Sequence, residues 1–132
     1  MKRLAIVVLA AITLAGCNPS GSDAVRVAKT EMSSGLKDPD SVQFRDVFFH
    51  PDKEQPKSGT SGYVCGQLNA KNSYGAYVGF ERFYIHISAK AKWLMPLLGI
   101  SYDVGDAGMV DDGDKVQTRL DKLLMYTARC EK

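Results

Sequence analysis

The stretch Val78-Gly79-Phe80-Glu81-Arg82-Phe83-Tyr84-Ile85-His86-Ile87-Ser88-Ala89 carries the clearest structural pattern in the chain. Phe83, Ile85, Ile87 and Ala89 alternate with Arg82, Tyr84, His86 and Ser88. Successive side chains of a strand point to opposite faces, so this period of two predicts a strand with one face on a core. A lone strand cannot bury such a face, and its neighbours in sequence supply partners. Upstream, Tyr63 to Ala70 reads as a strand with Val64, Leu68 and Ala70 on one face and Tyr63 and Cys65 on the other. Between them Asn69 to Gly79 is dense in Asn, Ser, Gly and Tyr and reads as a turn. Downstream, Tyr102 to Val110 is predicted as a short fourth strand.

Further out the pattern is less even. Val42 to Phe49 reads as a strand, but Val42 and Phe44 fall on one face and Val47 and Phe49 on the other. The change of phase at Arg45-Asp46 implies either a bulge or burial on both faces. His50 to Gly62, with two prolines and two glycines, is predicted as a long loop. Trp93 to Ile100 is apolar, broken by Pro96 and Gly99, and too short to cross a membrane; it is expected to be a packed connection.

Two helices flank the strands. Ser22 to Lys37 places Val25, Ala28, Met32 and Leu36 three or four apart, with Ser22 or Asp23 as cap and Asp38-Pro39-Asp40-Ser41 as the turn that follows. Near the end, Val116, Leu120, Leu123, Leu124 and Thr127 form a second stripe that Cys130 continues. The expected fold is α+β: an N-terminal helix, an antiparallel meander of three or four strands, and a C-terminal helix on the same face as the first. It occupies residues 23–132 as one domain, which suits a chain of 132 residues. An apolar fraction of 45% with 24% charge excludes wholesale disorder. A net charge of +2 offers no field for a nucleic-acid backbone, so no nucleic-acid partner is expected.

The N-terminus reads as an export signal. Lys2 and Arg3 precede an apolar run from Leu4 to Ala15 interrupted only by Thr13. Leu14-Ala15-Gly16-Cys17 at its end resembles the lipobox of bacterial lipoproteins at all four positions. The resemblance implies that residues 1–16 are a signal peptide, that Cys17 receives a diacylglycerol thioether, and that its new amine is acylated. Two or three acyl chains anchor stably where one does not. Asn18, rather than Asp, after that cysteine implies an outer-membrane anchor with the domain facing the periplasm. Residues 17–22 would be the lipidated cysteine and its tether. Removing residues 1–16 takes Lys2 and Arg3 from the 17 basic side chains and leaves 15 against 15 acidic ones, a neutral mature chain.

With Cys17 lipidated, Cys65 and Cys130 remain. In an oxidising compartment a pair reads as a disulfide, and no Cys-x-x-Cys pattern marks either as a redox thiol.

The central run resembles a second pattern. Leu36-Lys37-Asp38-Pro39-x-Ser41 with Phe44-Arg45, then Val64-Cys65-Gly66, Asn69-Ala70-Lys71-Asn72-Ser73-Tyr74-Gly75 and Tyr77-x-Gly79-Phe80, is similar to a family of small uncharacterised bacterial exported proteins. It implies a shared domain and carries no activity. Tyr63-x-Cys65 is also similar to the Tyr-x-Cys feature of membrane-bound lysozyme inhibitors, although those proteins are mostly β.

Candidate chemistry is sparse. Asp103, Asp106, Asp111, Asp112 and Asp114 lack the ligand spacing of a calcium loop, and Asp112 and Asp114 suit a helix start. His50 and His86 have no ligand spacing and no marked nucleophile, so no catalytic residue, metal or cofactor is expected. Tyr74, Tyr77 and Phe80 border glycines in the turn between strands. Exposed, they would make an amphipathic partner-binding tip; turned inward, they would seal the core. The function expected is a non-enzymatic, lipid-anchored envelope lipoprotein that binds an envelope or foreign protein. An inhibitor of a cell-wall hydrolase is the alternative.

Overall fold

The computed structural model describes residues 18–92, 99–110 and 115–131. Helix α1, Gly21–Ser34, leads through a 3-10 turn at Pro39–Ser41 into four strands, β1 Gln43–Pro51, β2 Gly59–Lys71, β3 Tyr77–Ala91 and β4 Ile100–Val110, and α2, Val116–Cys130, closes the chain. The strands form one antiparallel sheet in the order β1-β2-β3-β4. The α+β class, the meander and the two helices are as the alternation and spacing imply. The signal segment, Cys17, Trp93 to Leu98, and Asp111, Asp112 and Asp114 lie outside the described residues.

Both faces of the sheet are covered at its centre. On the first, Val64 and Leu68 of β2 and Phe83, Ile85 and Ile87 of β3 pack beneath Ala24 and Ala28 of α1. Their small side chains, four apart, let the helix backbone settle close to the strands. The mixed stripe expected from Val25, Ala28, Met32 and Leu36 is therefore rotated, so that Ala24 and Ala28 face inward and Val25, Met32 and Leu36 flank them.

On the second face lie Cys65, Tyr84 and Val110 beneath Tyr126 and Cys130 of α2. The two helices occupy opposite faces, which corrects the expectation that they share one. The reason is strand parity. Val64 and Cys65 are adjacent, so a helix bonded to Cys65 cannot sit on the face of Val64. Cys65 and Cys130 are bonded, with Cα atoms 5.9 Å apart. The bond also sets the phase of α2. Tyr126, Cys130 and, in part, Leu123 pack inward, whereas Val116, Leu120 and Leu124 of the expected stripe face out.

The phase change in β1 is a bulge. The pairing shifts between Arg45 and Phe48, and Asp46 adopts a left-handed φ of 51°. The extra residue brings Val42, Phe44, Val47 and Phe49 all onto the α1 side. Gly66 of β2 makes room for it: a Cβ there would lie 2.8 Å from Val47 Cγ2 and 3.0 Å from Val47 Cα.

The expected loop from His50 to Gly62 is shorter than its composition implies. β1 runs to Pro51 and β2 begins at Gly59. Gly62 belongs to the strand, where a Cβ would fall 2.2 Å from the His50 carbonyl oxygen, so the glycine permits close pairing rather than marking a turn.

Helix α1 also begins earlier than expected. Ser20, not Ser22 or Asp23, is the N-cap; its side chain accepts from the Asp23 amide, while the Ser20 amide donates to Asp23 Oδ2 at 2.9 Å. This reciprocal capping box satisfies two otherwise orphaned donors. The Ser20 backbone and hydroxyl hydrogen bonds, with help from Arg26, hold the Asp23 carboxyl below its ordinary value. Pro19 is buried, so among the described residues ahead of the cap Asn18 alone is exposed.

Three outcomes test this architecture. Replacing Cys65 and Cys130 with Ser should lower unfolding stability by about 4 kcal/mol, the chain-entropy value for a loop of this size, measured by denaturant titration. Gly66→Ala should cost about 1–3 kcal/mol by crowding Val47, whereas Gly35→Ala, where a Cβ meets nothing within 4 Å, should be neutral or slightly stabilising. Because the Asp23 pKa is depressed on folding, its contribution is complete above the unfolded carboxylate pKa and lost as pH falls through the folded one. Asp23→Asn should therefore destabilise at neutral pH, with a deficit that closes under acid titration.

Candidate functional site

The β2–β3 hairpin ends in an ordered turn. The Asn72 side-chain oxygen accepts from the amides of Tyr74 at 2.9 Å and Ala76 at 3.1 Å, and the Asn72 amide donates to the Ala76 carbonyl at 2.8 Å. Gly75, with φ of 79°, supplies the left-handed residue the reversal needs. The hairpin root is tied to the segment after α1. Lys37 donates to Ser73, Lys71 pairs with Asp38 at 3.5 Å, and the Tyr77 hydroxyl donates to the Ser41 carbonyl at 2.9 Å.

On this fixed support the three expected aromatics have different settings. Tyr74 stands out of the turn with 95% of its surface exposed. Tyr77 is half-exposed, held by Ser41, with Lys71 Nζ 5.5 Å from its ring centroid. Phe80 lies under the Arg45 guanidinium, 4.0 Å from the ring centroid, and lines a cleft of about 320 Å³ with Arg82, Val110, Arg119 and Leu123. All three occupy the hairpin end of the sheet, but of the three only Tyr74 is presented fully to solvent. Val78 and, at the start of α2, Val116 and Leu120 add exposed apolar surface at the same end.

The second face carries a cluster that linear spacing does not reveal. Register places His50 opposite Tyr63, and Tyr63 opposite His86. The Tyr63 ring meets His86 edge-on at 4.8 Å. Beyond them, Asp52 Oδ2 accepts from the Ser61 hydroxyl at 2.7 Å and lies 2.8 Å from His86 Nε2, while Gln55 bonds the Ser61 backbone on both sides. Ser, His and Asp are thus adjacent, but not as a relay. The carboxylate and the serine approach the same imidazole nitrogen, with Ser61 Oγ 3.4 Å from Nε2, so the nitrogen that would take the serine proton faces Asp52 instead. The network staples the 52–58 loop to β2 and β3.

Arg129 of α2 completes this face. Its guanidinium pairs with Asp106 at 2.6 Å and lies over the rings of Tyr63 and Tyr84, 5.3 and 5.4 Å from their centroids. A hydrogen bond with Tyr63 leads the influences that raise the Arg129 pKa, and burial, then Asp106, raises that of Tyr84. Tyr63 and Cys65, the pair similar to the lysozyme-inhibitor feature, are therefore engaged by Arg129 and His86 and by the disulfide. Asp106 serves as an ion-pair partner. Among the described residues no group of three or more His, Cys, Asp or Glu is placed to hold a metal ion, and no helix is long and apolar enough to cross a membrane.

No family model, curated protein or solved structure matches the chain.

The two sites should respond differently to truncation. Tyr74→Ala should leave unfolding stability within about 0.5 kcal/mol of the parent. Asp52→Ala, which strands Ser61 and His86, should cost about 1–3 kcal/mol and raise amide exchange across the 52–58 loop.

Proposed function

We propose that the protein is a lipid-anchored binding module of the bacterial envelope, attached through Cys17 and contacting a protein partner with the end of its β2–β3 hairpin. The observation that carries this reading is a polarity of position. Gly21 packs on Phe49, near the Pro51 end of the sheet, since a Cβ on Gly21 would meet Phe49 Cδ1 at 2.8 Å. From there α1 runs toward the hairpin end, where its exit segment bonds to Ser73 and Lys71. The start of α1, four residues after Cys17 in sequence, thus lies toward one end of the sheet, and Tyr74 stands at the other. Register sets Phe49 level with Val64 and Ile85, and Ile85 lies eight residues from Tyr77 along β3, so about 26 Å separates the helix start from the hairpin turn.

Tyr74 has the properties of a contact residue. It is large, amphipathic and exposed on a turn already ordered by Asn72, so burying it in a partner costs little conformational entropy. A lipid anchor that holds the opposite end at the bilayer would present this tip toward the periplasm. The Asp52–Ser61–His86 network supports the loop rather than a reaction, which favours binding over catalysis.

Two experiments test the two halves of the reading. Cys17→Ala should abolish metabolic lipid labelling and leave unprocessed precursor; labelling that persists contradicts the anchor. A photo-crosslinking residue at position 74 should give a discrete crosslinked protein in intact envelopes, and one at the exposed Thr30 should not. Identical patterns from both positions contradict the hairpin as the contact.

A further inference from the structure

The start of α1 constrains more than attachment. Resting on the lipoprotein reading of Cys17, we propose that the Pro51 end of the sheet is a membrane-contact surface that seats Lys53, Lys57, Lys90 and Lys92 on anionic phospholipid headgroups.

The argument begins with chain length. Cys17 precedes Gly21 by four residues, which span at most about 14 Å when extended. Pro19 is buried and Ser20 is fixed as the N-cap, so the actual reach is shorter. The sheet overhangs the helix start by a comparable distance. Gly21 packs on Phe49, whose ring reaches toward Gly62, and Gly62 pairs with Ile87. β3 continues four residues beyond Ile87 to Ala91, about 13 Å. The lipid cannot sit farther out than the strand ends, so an anchored domain brings those ends to the headgroups.

What occupies that end fits an anionic surface. Lys90 pairs with Gly59 at the limit of the β2–β3 ladder, and Lys92 follows β3; Lys53 and Lys57 lie in the adjoining loop, and all four are exposed. Two acids share these segments. Asp52 is engaged by Ser61 and His86, and Glu54 is exposed. Juxtamembrane lysines gain attraction within a Debye length of an anionic leaflet, a distance the short tether guarantees.

The test is amine acetylation, read by mass spectrometry, of the mature protein carrying its own lipid. Labelling is compared in detergent, in neutral phosphatidylcholine vesicles and in vesicles with phosphatidylglycerol. Lys53, Lys57, Lys90 and Lys92 should label at least threefold more slowly on anionic vesicles than in detergent, while exposed Lys37 and Lys115 at the hairpin end keep their rates. The slowing should be weaker on neutral vesicles. Uniform slowing of all six, or none, overturns the contact surface, and equal slowing on both vesicle types overturns its dependence on anionic lipid. The same spectra report the mass of Cys17. An unlipidated Cys17 overturns the anchor and the orientation with it, whereas a lipidated Cys17 with unprotected lysines overturns the orientation alone.

Discussion

The Cys65–Cys130 bond joins β2, a strand that packs against both helices, to the last turn of α2. Side chains alternate along β2, so Val64 is buried in the α1 core and Cys65 in the α2 core, one residue apart. The rest of the second face follows from that parity. With Cys130 fixed over Cys65, Tyr126 falls on Tyr84 and Val110, and Arg129 reaches Asp106 across the Tyr63 and Tyr84 rings. α1 needs no such link, because Ala24 and Ala28 are fully buried against three strands. α2 contributes only Leu123, Tyr126 and Cys130 to the buried clusters and leaves Val116, Leu120 and Leu124 outside. It is the element whose position depends most on the covalent bond.

Much of this was legible one residue at a time. The alternation in Phe83 to Ala89 marks the central strand, and the phase slip between Phe44 and Val47 marks the bulge without saying that it would put all four apolar residues on one face. Even the side of α2 was written in the adjacency of Val64 and Cys65. Walking back from Cys130 in steps of four and three meets Tyr126 and Leu123, the true inner row; the stripe counted forward from Val116 includes Leu123 but takes Thr127 in place of Tyr126. Other features depend on contacts far apart in sequence. Gly62 reads as a loop residue until the His50 carbonyl is known to lie against it. The row of His50, Tyr63 and His86 exists only through strand register, with no local motif to announce it. The aromatic tip was visible as composition, but the separation of Tyr74 from Tyr77 and Phe80 depends on partners such as Ser41 and Arg45.

The molecule has two unlike ends. One gathers the start of α1 and four exposed lysines; the other holds an ordered turn with a projecting tyrosine. Under the proposed anchor at Cys17, short attachment and long strands together would fix an orientation. A flexible tether of many residues would let the sheet lie in any attitude, but a helix beginning four residues after Cys17 would not, under the proposed lipid anchor. On this account the sheet is a spacer that carries a binding tip clear of the headgroups.

Neutron reflectometry of the lipidated protein on a supported anionic bilayer measures that arrangement most directly. An upright sheet whose longest strand has 15 residues predicts a protein layer about 45–50 Å thick beyond the headgroups. A layer of about 30 Å, the depth of two helices and the sheet between them, would mean that the domain lies flat and that the account of a membrane-distal tip is wrong.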